Sequence, residues 1–270
     1  MTGRRGYPLP PPLPRGRMTQ HLICIGYDSP NPDAFAVCRQ SLRRLASRPV
    51  AIAGIHLEEM RRRRMYWRPT SRRMVDGHNV LWDDISEAPM STEFACSRFL
   101  APYLAGWHGW AVFMDCDILA LGDICRLLDS LDPRYALMCV QHNHRPANET
   151  KMDGRPQLGE IDSRAPGRYM RKNWSSVMAF NCSHPANAPL TLDMINTLPG
   201  RDLHRFCWLA DHHIGALDPE WNFLVGHSDP QISPSLVHYT DGGPWLSGFE
   251  GVAFADEWRR EFARWVNGDA

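Results

Sequence analysis

The 270-residue sequence has no excess of charge of either sign: Lys and Arg together number 30, Asp and Glu 30, and the pI is near 7.2. It therefore carries no global basic field suited to nucleic acid, and no acidic surplus of the kind that keeps chains unfolded. It has no C-x-x-C pair. Its eight cysteines (Cys24, Cys38, Cys96, Cys116, Cys125, Cys139, Cys182 and Cys207) are scattered, mostly beside apolar residues. That spacing excludes a structural zinc ribbon and fits reduced thiols in the core of a cytoplasmic protein. No apolar run approaches the roughly 20 residues a membrane-spanning helix needs. The N-terminus, "MTGRRGYPLPPPLPRGRM", has basic residues but no apolar core of a secretory signal. There is no internal repeat.

Prolines fill residues 1–20 instead, which predicts a disordered or polyproline arm before a single folded domain over 21–270. Within that domain, short apolar runs alternate with helical patterns. Leu22–Ile25, Val50–Ile55, Trp110–Met114 and Tyr135–Val140 read as buried strands. Between the first two, Phe35, Cys38, Leu42 and Leu45 recur at helical spacing. Such alternation predicts an α/β fold with a central, mostly parallel sheet flanked by helices. Residues 141–174 are poor in apolar residues and rich in turn formers, which predicts a functional loop. The C-terminal half is loop-rich and closes on an amphipathic helix, "FADEWRREFARWV". Residues 58–74, "EEMRRRRMYWRPTSRRM", hold seven arginines and two glutamates. This segment reads as a solvated helix face. With Met60, Met65, Tyr66 and Trp67 interleaved, it also suits peripheral contact with an anionic membrane surface, at its cytoplasmic face, or an acidic glycan.

The chemistry centres on "FMDCDIL". A bare D-x-D arises easily by chance, so its context must decide. Here an apolar strand runs straight into Asp115 and Asp117. Side chains alternate along a strand, so extended geometry puts both carboxylates on one face and Cys116 on the other. Ligands of open α/β sheets bind outside the carboxyl ends of the strands, where this pair falls. Two hard oxygens suit Mn²⁺ or Mg²⁺. The competing assignment is a polar strand end leading into "LALGDICRLLD", with Asp123 near the start of a helix.

Residues 92–128, "TEFACSRFLAPYLAGWHGWAVFMDCDILALGDICRLL", are followed by "MAFNCS", "WLADHHIG" and "HYTDGGPW", and preceded by "ICIGYDS". In this order, across residues 21–258, they resemble the nucleotide-sugar glycosyltransferases of the GT-A (Rossmann-like) fold. The resemblance is to glycosyltransferase family 8 and related bacterial proteins. It implies metal ligation by Asp115, Asp117 and His238. It implies catalytic roles for Arg98, on the helix before the D-x-D strand, for Asn181, after a later strand, and for Asp211. Asp211 heads a helix and either binds the donor sugar or takes part in catalysis, its bland alternative being a helix N-cap. The implied nucleotide-sugar contacts are Tyr27, Asp28, Arg98, Asp115, Lys172, Gly243 and Trp245. In the family a lysine commonly precedes the Pro-Trp of the last loop, whereas here Gly243 stands there. Arg98, Lys172, Lys151 or the loop's N–H groups would then meet the diphosphate. Trp174 and Trp245 are candidate sugar platforms, with Arg171, Lys172 and Asn173 beside them.

The implied activity is metal-dependent transfer of a sugar from a nucleoside-diphosphate donor, a UDP-sugar, to a glycan, lipid-linked or other acceptor, with retention. Two alternatives stand beside it. A haloacid-dehalogenase-type phosphatase also uses a D-x-D after an apolar strand, but Leu119 stands where that motif wants Thr or Val. A non-catalytic glycan or membrane adaptor would be marked by loss of the ligand triad.

Overall fold

The computed structural model describes residues 21–75, 77–143, 150–151, 155–156, 171 and 173–268. The predicted arm at 1–20, Lys172 and most of the loop at 141–174 lie outside the described residues. The strands are β1 (His21–Gly26), β2 (Ala51–Ile55), β3 (Thr70–Val75), β4 (His78–Asp83), β5 (Ala88–Pro89), β6 (Trp110–Met114) and β7 (Ile118–Ala120). They continue as β8 (Leu137–Cys139), β9 (Thr150–Lys151), β10 (Arg155–Pro156), β11 (Val177–Asn181), β12 (Ile214–Ala216), β13 (Phe223–Leu224) and β14 (Leu236–His238).

Six strands form the main sheet in the order β12-β8-β11-β6-β1-β2. All run parallel except β11, which is antiparallel to both neighbours. The four strands read from the sequence thus form, and the mostly parallel α/β sheet is present. β6 (WAVFM) lies near the centre and is buried at every residue, as a strand covered on both faces requires. Close packing is strict at the carboxyl end of β1. A Cβ on Gly26 would lie 2.4 Å from the Phe94 ring, so only glycine fits there.

The helix Pro32–Leu45 forms over the predicted pattern, burying Ala34, Val37, Cys38, Ser41 and Leu42. The closing helix Ala255–Asn267 packs against it. Val37, Leu119, Val237, Tyr239 and Trp258 make a second, smaller core between them. Arg44 fixes the pair by donating to both oxygens of Glu261, at 2.9 and 3.0 Å. A further sheet, β13-β14-β7, stands apart from the main one. In it β14 pairs antiparallel with β7, setting His238 opposite Ile118. Seven of the eight cysteines are buried, and all are free thiols.

The arginine-rich segment departs from a single solvated helix face. Its helix is only Leu57–Arg62. The chain then turns through Arg64 at φ 54° and enters the antiparallel sheet β3-β4-β5. Met60, Met65 and Tyr66 are core residues, at most 2% exposed. Arg68 is buried as well, and its five N–H groups are all used. They donate to Asp83 Oδ1 (2.7 Å) and Oδ2 (2.6 Å), the Ile195 and Leu198 carbonyls (3.0 and 2.6 Å) and Ser86 Oγ (3.3 Å). What reaches the surface is Trp67, Met74 and the other arginines. The sequence pattern misled because a buried arginine and a solvated one look alike until their partners are known.

Candidate functional site

The chain leaves β6 at Met114, turns through Asp115, Cys116 and Asp117, and re-enters a strand at Ile118. Backbone hydrogen bonds hold both ends of this turn. Asp115 N–H donates to the Ser176 carbonyl (3.0 Å), and Tyr239 N–H donates to the Asp117 carbonyl (3.0 Å). The first bond ties the turn to the start of β11, the second to the end of β14. Cys116 points into the core, 4% exposed, and burial with the two flanking carboxylates pushes its thiol well up.

Because β14 pairs with β7, His238 arrives beside the two aspartates. One ligand atom from each of Asp115, Asp117 and His238 lies within 4.8 Å of the others. His238 Nε2 is 3.4 Å from Asp117 Oδ1 and 4.0 Å from Asp115 Oδ2. Burial alone would lower the pKa of the His238 imidazole. The Asp117 carboxylate, and after it Asp115, outweigh that and hold it above the ordinary histidine value. Asp117 Oδ1 is buried yet makes no hydrogen bond, and a bound cation would satisfy it. Two carboxylates and an imidazole are a donor set that fits a divalent cation.

Arg98 is 5% exposed. Its Nη1 lies 2.9 Å from Asp115 Oδ1, as a charge contact, while that nitrogen also donates to the Ser175 carbonyl (2.8 Å). Its Nε donates to the Ala95 carbonyl (3.0 Å), and its guanidinium lies over Phe94 and Phe113. Arg98 therefore fixes the orientation of Asp115. Asp28, at the end of β1, is held on both oxygens, by Glu93 N–H and Asn31 Nδ2 (each 2.9 Å). Burial is the leading influence and raises its pKa. Tyr27 stacks on His56, with centroids 4.2 Å apart, where β1 and β2 end.

Other expected residues sit differently. Asn181 pairs with Trp110 at the amino end of β6, five residues from Asp115 and so roughly 16 Å away at strand rise. It donates to the Pro133 and Tyr135 carbonyls (3.1 and 3.2 Å). A catalytic role for Asn181 is thus corrected to a structural one. The reason is that β11 runs antiparallel to β6, so the start of β11 faces the site and its end does not. Asp211 heads the short turn Asp211–His213 before edge strand β12, with an exposed side chain paired to Arg171. Gly243 is buried beneath the Trp245 ring. Trp245 donates from Nε1 to Asn31 Oδ1 (3.0 Å) and packs on Tyr239 and Trp258, so it serves the fold. Trp174 donates to the His142 carbonyl (3.0 Å) and faces Arg171. Of Lys151 only the backbone, in β9, is described.

Sequence reading missed Asn222 and Ser176. Both are buried, and Asn222 Oδ1 meets His238 Nδ1 at 3.0 Å. An asparagine in "PEWNFL" gives no signal by itself, because its partner is 16 residues along the chain and two strands bring them together.

No family model matches the chain. In sequence it is similar to Protein CDI of Arabidopsis thaliana, 42% identical over 244 residues that cover 88% of this chain and 85% of that protein. In structure it is similar to the bifunctional glycosyltransferase WbbM (TM-score 0.60, 17% identity), covering 94% of this chain and 51% of WbbM. It is likewise similar to the galactosyltransferase LgtC solved with donor and acceptor sugar analogues (TM-score 0.52, 13% identity), over 90% of this chain and 95% of LgtC. A third likeness is to the glycosyltransferase GlyE of Streptococcus pneumoniae TIGR4 (TM-score 0.55, 14% identity), over 93% of this chain and 63% of GlyE. The chain thus spans about half the length of WbbM. These likenesses establish the GT-A fold.

Proposed function

The chain belongs to the same family as Protein CDI of Arabidopsis thaliana, and from its GT-A fold and its cluster of Asp115, Asp117 and His238 we propose that it is a metal-dependent glycosyltransferase. It would take its sugar from a nucleoside-diphosphate sugar, a UDP-sugar, and pass it with retention to a glycan, lipid-linked or other acceptor. The observation that carries this reading is the convergence of Asp115, Asp117 and His238 beside the carboxyl end of β6 in a GT-A fold. It also sets aside the adaptor alternative, whose mark was loss of that triad. A histidine facing the D-x-D favours a metal-ligand set over the phosphatase alternative.

Asp115, Asp117 and His238 would hold Mn²⁺ or Mg²⁺, which supplies counter-charge for the departing diphosphate. The chain's own residues do the rest. Arg98 would fix the orientation of Asp115 for metal binding and adds a positive charge in a dry setting. Tyr27, half-buried and braced by His56, offers a flat face for the nucleobase, and Asp28 sits at the same strand end. Gly243 brings the backbone of the last loop close, and Trp245 closes over it. Asp211, presented by Arg171, binds donor-sugar hydroxyls or serves catalysis. Lys172, next to Arg171, is assigned to the diphosphate from the resemblance alone.

No helix among the described residues is long and apolar enough to cross a membrane, and residues 21–270 would act as one cytoplasmic domain. The surface arginines with Trp67 and Met74 would give an anionic membrane surface its contact.

Calorimetric titration of UDP with and without Mn²⁺, in the wild type and Asp117→Asn, tests the assignment. Manganese-dependent binding that the variant loses is expected. Binding indifferent to both metal and mutation would remove the triad from donor binding.

A further inference from the structure

A chain of three hydrogen bonds, two of them buried, runs away from the triad, and its proton bookkeeping has one solution. Ser176 Oγ lies 2.7 Å from the Asn173 carbonyl, which can only accept, so the single hydroxyl proton goes there. Ser176 Oγ must then accept from its other neighbour, the Asn222 amide at 2.8 Å. Asn222 therefore presents its NH₂ to Ser176, a choice reinforced by the Asn173 carbonyl 3.4 Å from the same nitrogen. Its amide oxygen is left facing His238 Nδ1 at 3.0 Å. An amide oxygen only accepts, so Nδ1 must carry a proton. Neutral imidazole has one N–H, which leaves a lone pair on Nε2, the nitrogen aimed at Asp115 and Asp117.

We infer that Asn222 is a positioning residue for the metal site: through Ser176 and Asn173 it fixes His238 in the Nδ1–H tautomer, with Nε2 ready to ligate. Asn222 is 0% exposed and Ser176 4%, so water does not offer His238 or Asn222 an alternative partner. The anchor of the chain, Asn173, has a left-handed backbone (φ 59°) and lies at the entrance to β11. Its carbonyl orientation is thereby tied to the tautomer of a ligand two strands away. The inference rests on the metal-site reading only for its consequence. The tautomer itself is a property of the metal-free protein.

The test has two readouts. The first is ¹⁵N NMR of the His238 ring in metal-free protein at a pH where it is neutral, which distinguishes N–H from bare nitrogen. The second is the affinity for Mn²⁺ alone, by calorimetry or by electron paramagnetic resonance. Wild type is expected to show Nδ1–H. Asn222→Leu should populate both tautomers and bind Mn²⁺ roughly 10- to 100-fold more weakly, as loss of an outer-shell partner does. Asn222→Asp keeps an acceptor for Nδ1–H and should retain both tautomer and affinity. Ser176→Ala leaves Asn222 in place but frees its amide to turn over, so it should mix the tautomers even if Asn222→Leu folds poorly. An Nε2–H tautomer in wild type, or wild-type spectra and affinity in both Asn222→Leu and Ser176→Ala, would overturn the inference. A wild type that shows Nδ1–H but binds no Mn²⁺ would uphold the tautomer and overturn the metal site.

Discussion

The indole of Trp245 lies across Gly243 so closely that a Cβ placed there would meet ring carbons at 2.0 and 2.2 Å. The ring is not free to swing away, since Asn31 holds its Nε1 and Trp258 and Tyr239 pack beside it. The absence of a lysine before Pro244-Trp245 is therefore built into the local packing. Gly243→Ala should cost about 1–3 kcal/mol by overpacking, read from denaturant unfolding. Combining it with Trp245→Ala should recover most of that loss relative to the sum of the single variants. Strict additivity would show that the two positions do not clash.

Arg98 makes three different contacts with one planar group, to Asp115, the Ser175 carbonyl and the Ala95 carbonyl. A lysine keeps the charge but cannot span them. Arg98→Lys is expected to lose about 1.5–3 kcal/mol of stability, in the range for lost hydrogen bonds to a charged group. Wild-type unfolding in this variant would refute the orienting role.

Asp83 and Arg68 are the most deeply buried ion pair among those described, with side chains 3% and 0% exposed. Burial by itself would raise the Asp83 carboxyl, but the Arg68 guanidinium and the Ser86 groups hold it below the ordinary carboxylate range. A lowered folded-state pKa means the pair's stabilisation is fully present above the unfolded value, about 3.9. It is lost as pH falls through the folded value. Asp83→Asn should cost about 3–5 kcal/mol at neutral pH and flatten the acid limb of a stability-versus-pH curve. An unchanged acid limb would assign acid unfolding to other carboxylates.

Asn181→Ala removes two hydrogen bonds to carbonyls at the amino end of the sheet. It should cost about 1 kcal/mol of stability and leave Mn²⁺ and UDP affinity unchanged in calorimetry. A large fall in either affinity would return Asn181 to the site.

Local pattern was enough for the skeleton. The buried runs became β1, β2, β6 and β8, and the spacing of Phe35, Cys38, Leu42 and Leu45 became a helix, because burial on both faces of a strand or on one face of a helix leaves a periodic trace. Asp123 does cap the helix Ile124–Asp129, accepting from Cys125 N–H at 2.9 Å, and it lies beyond β7 from Asp115 and Asp117, so the two assignments do not compete. What the sequence could not carry was direction and partnership. Nothing in "SSVMAFN" states that its strand runs antiparallel, so the wrong end of it was expected at the site. Nothing in "RRRRMYWRP" states that Arg68 turns inward to Asp83. The pairing of Asn222 with His238 depends on β13 and β14 lying side by side. Composition and periodicity by themselves determined an α/β core with a carboxylate pair at a strand end. Strand direction, the burial of one arginine among many and the tautomer of His238 were decided by tertiary structure, because each depends on which distant group meets the side chain.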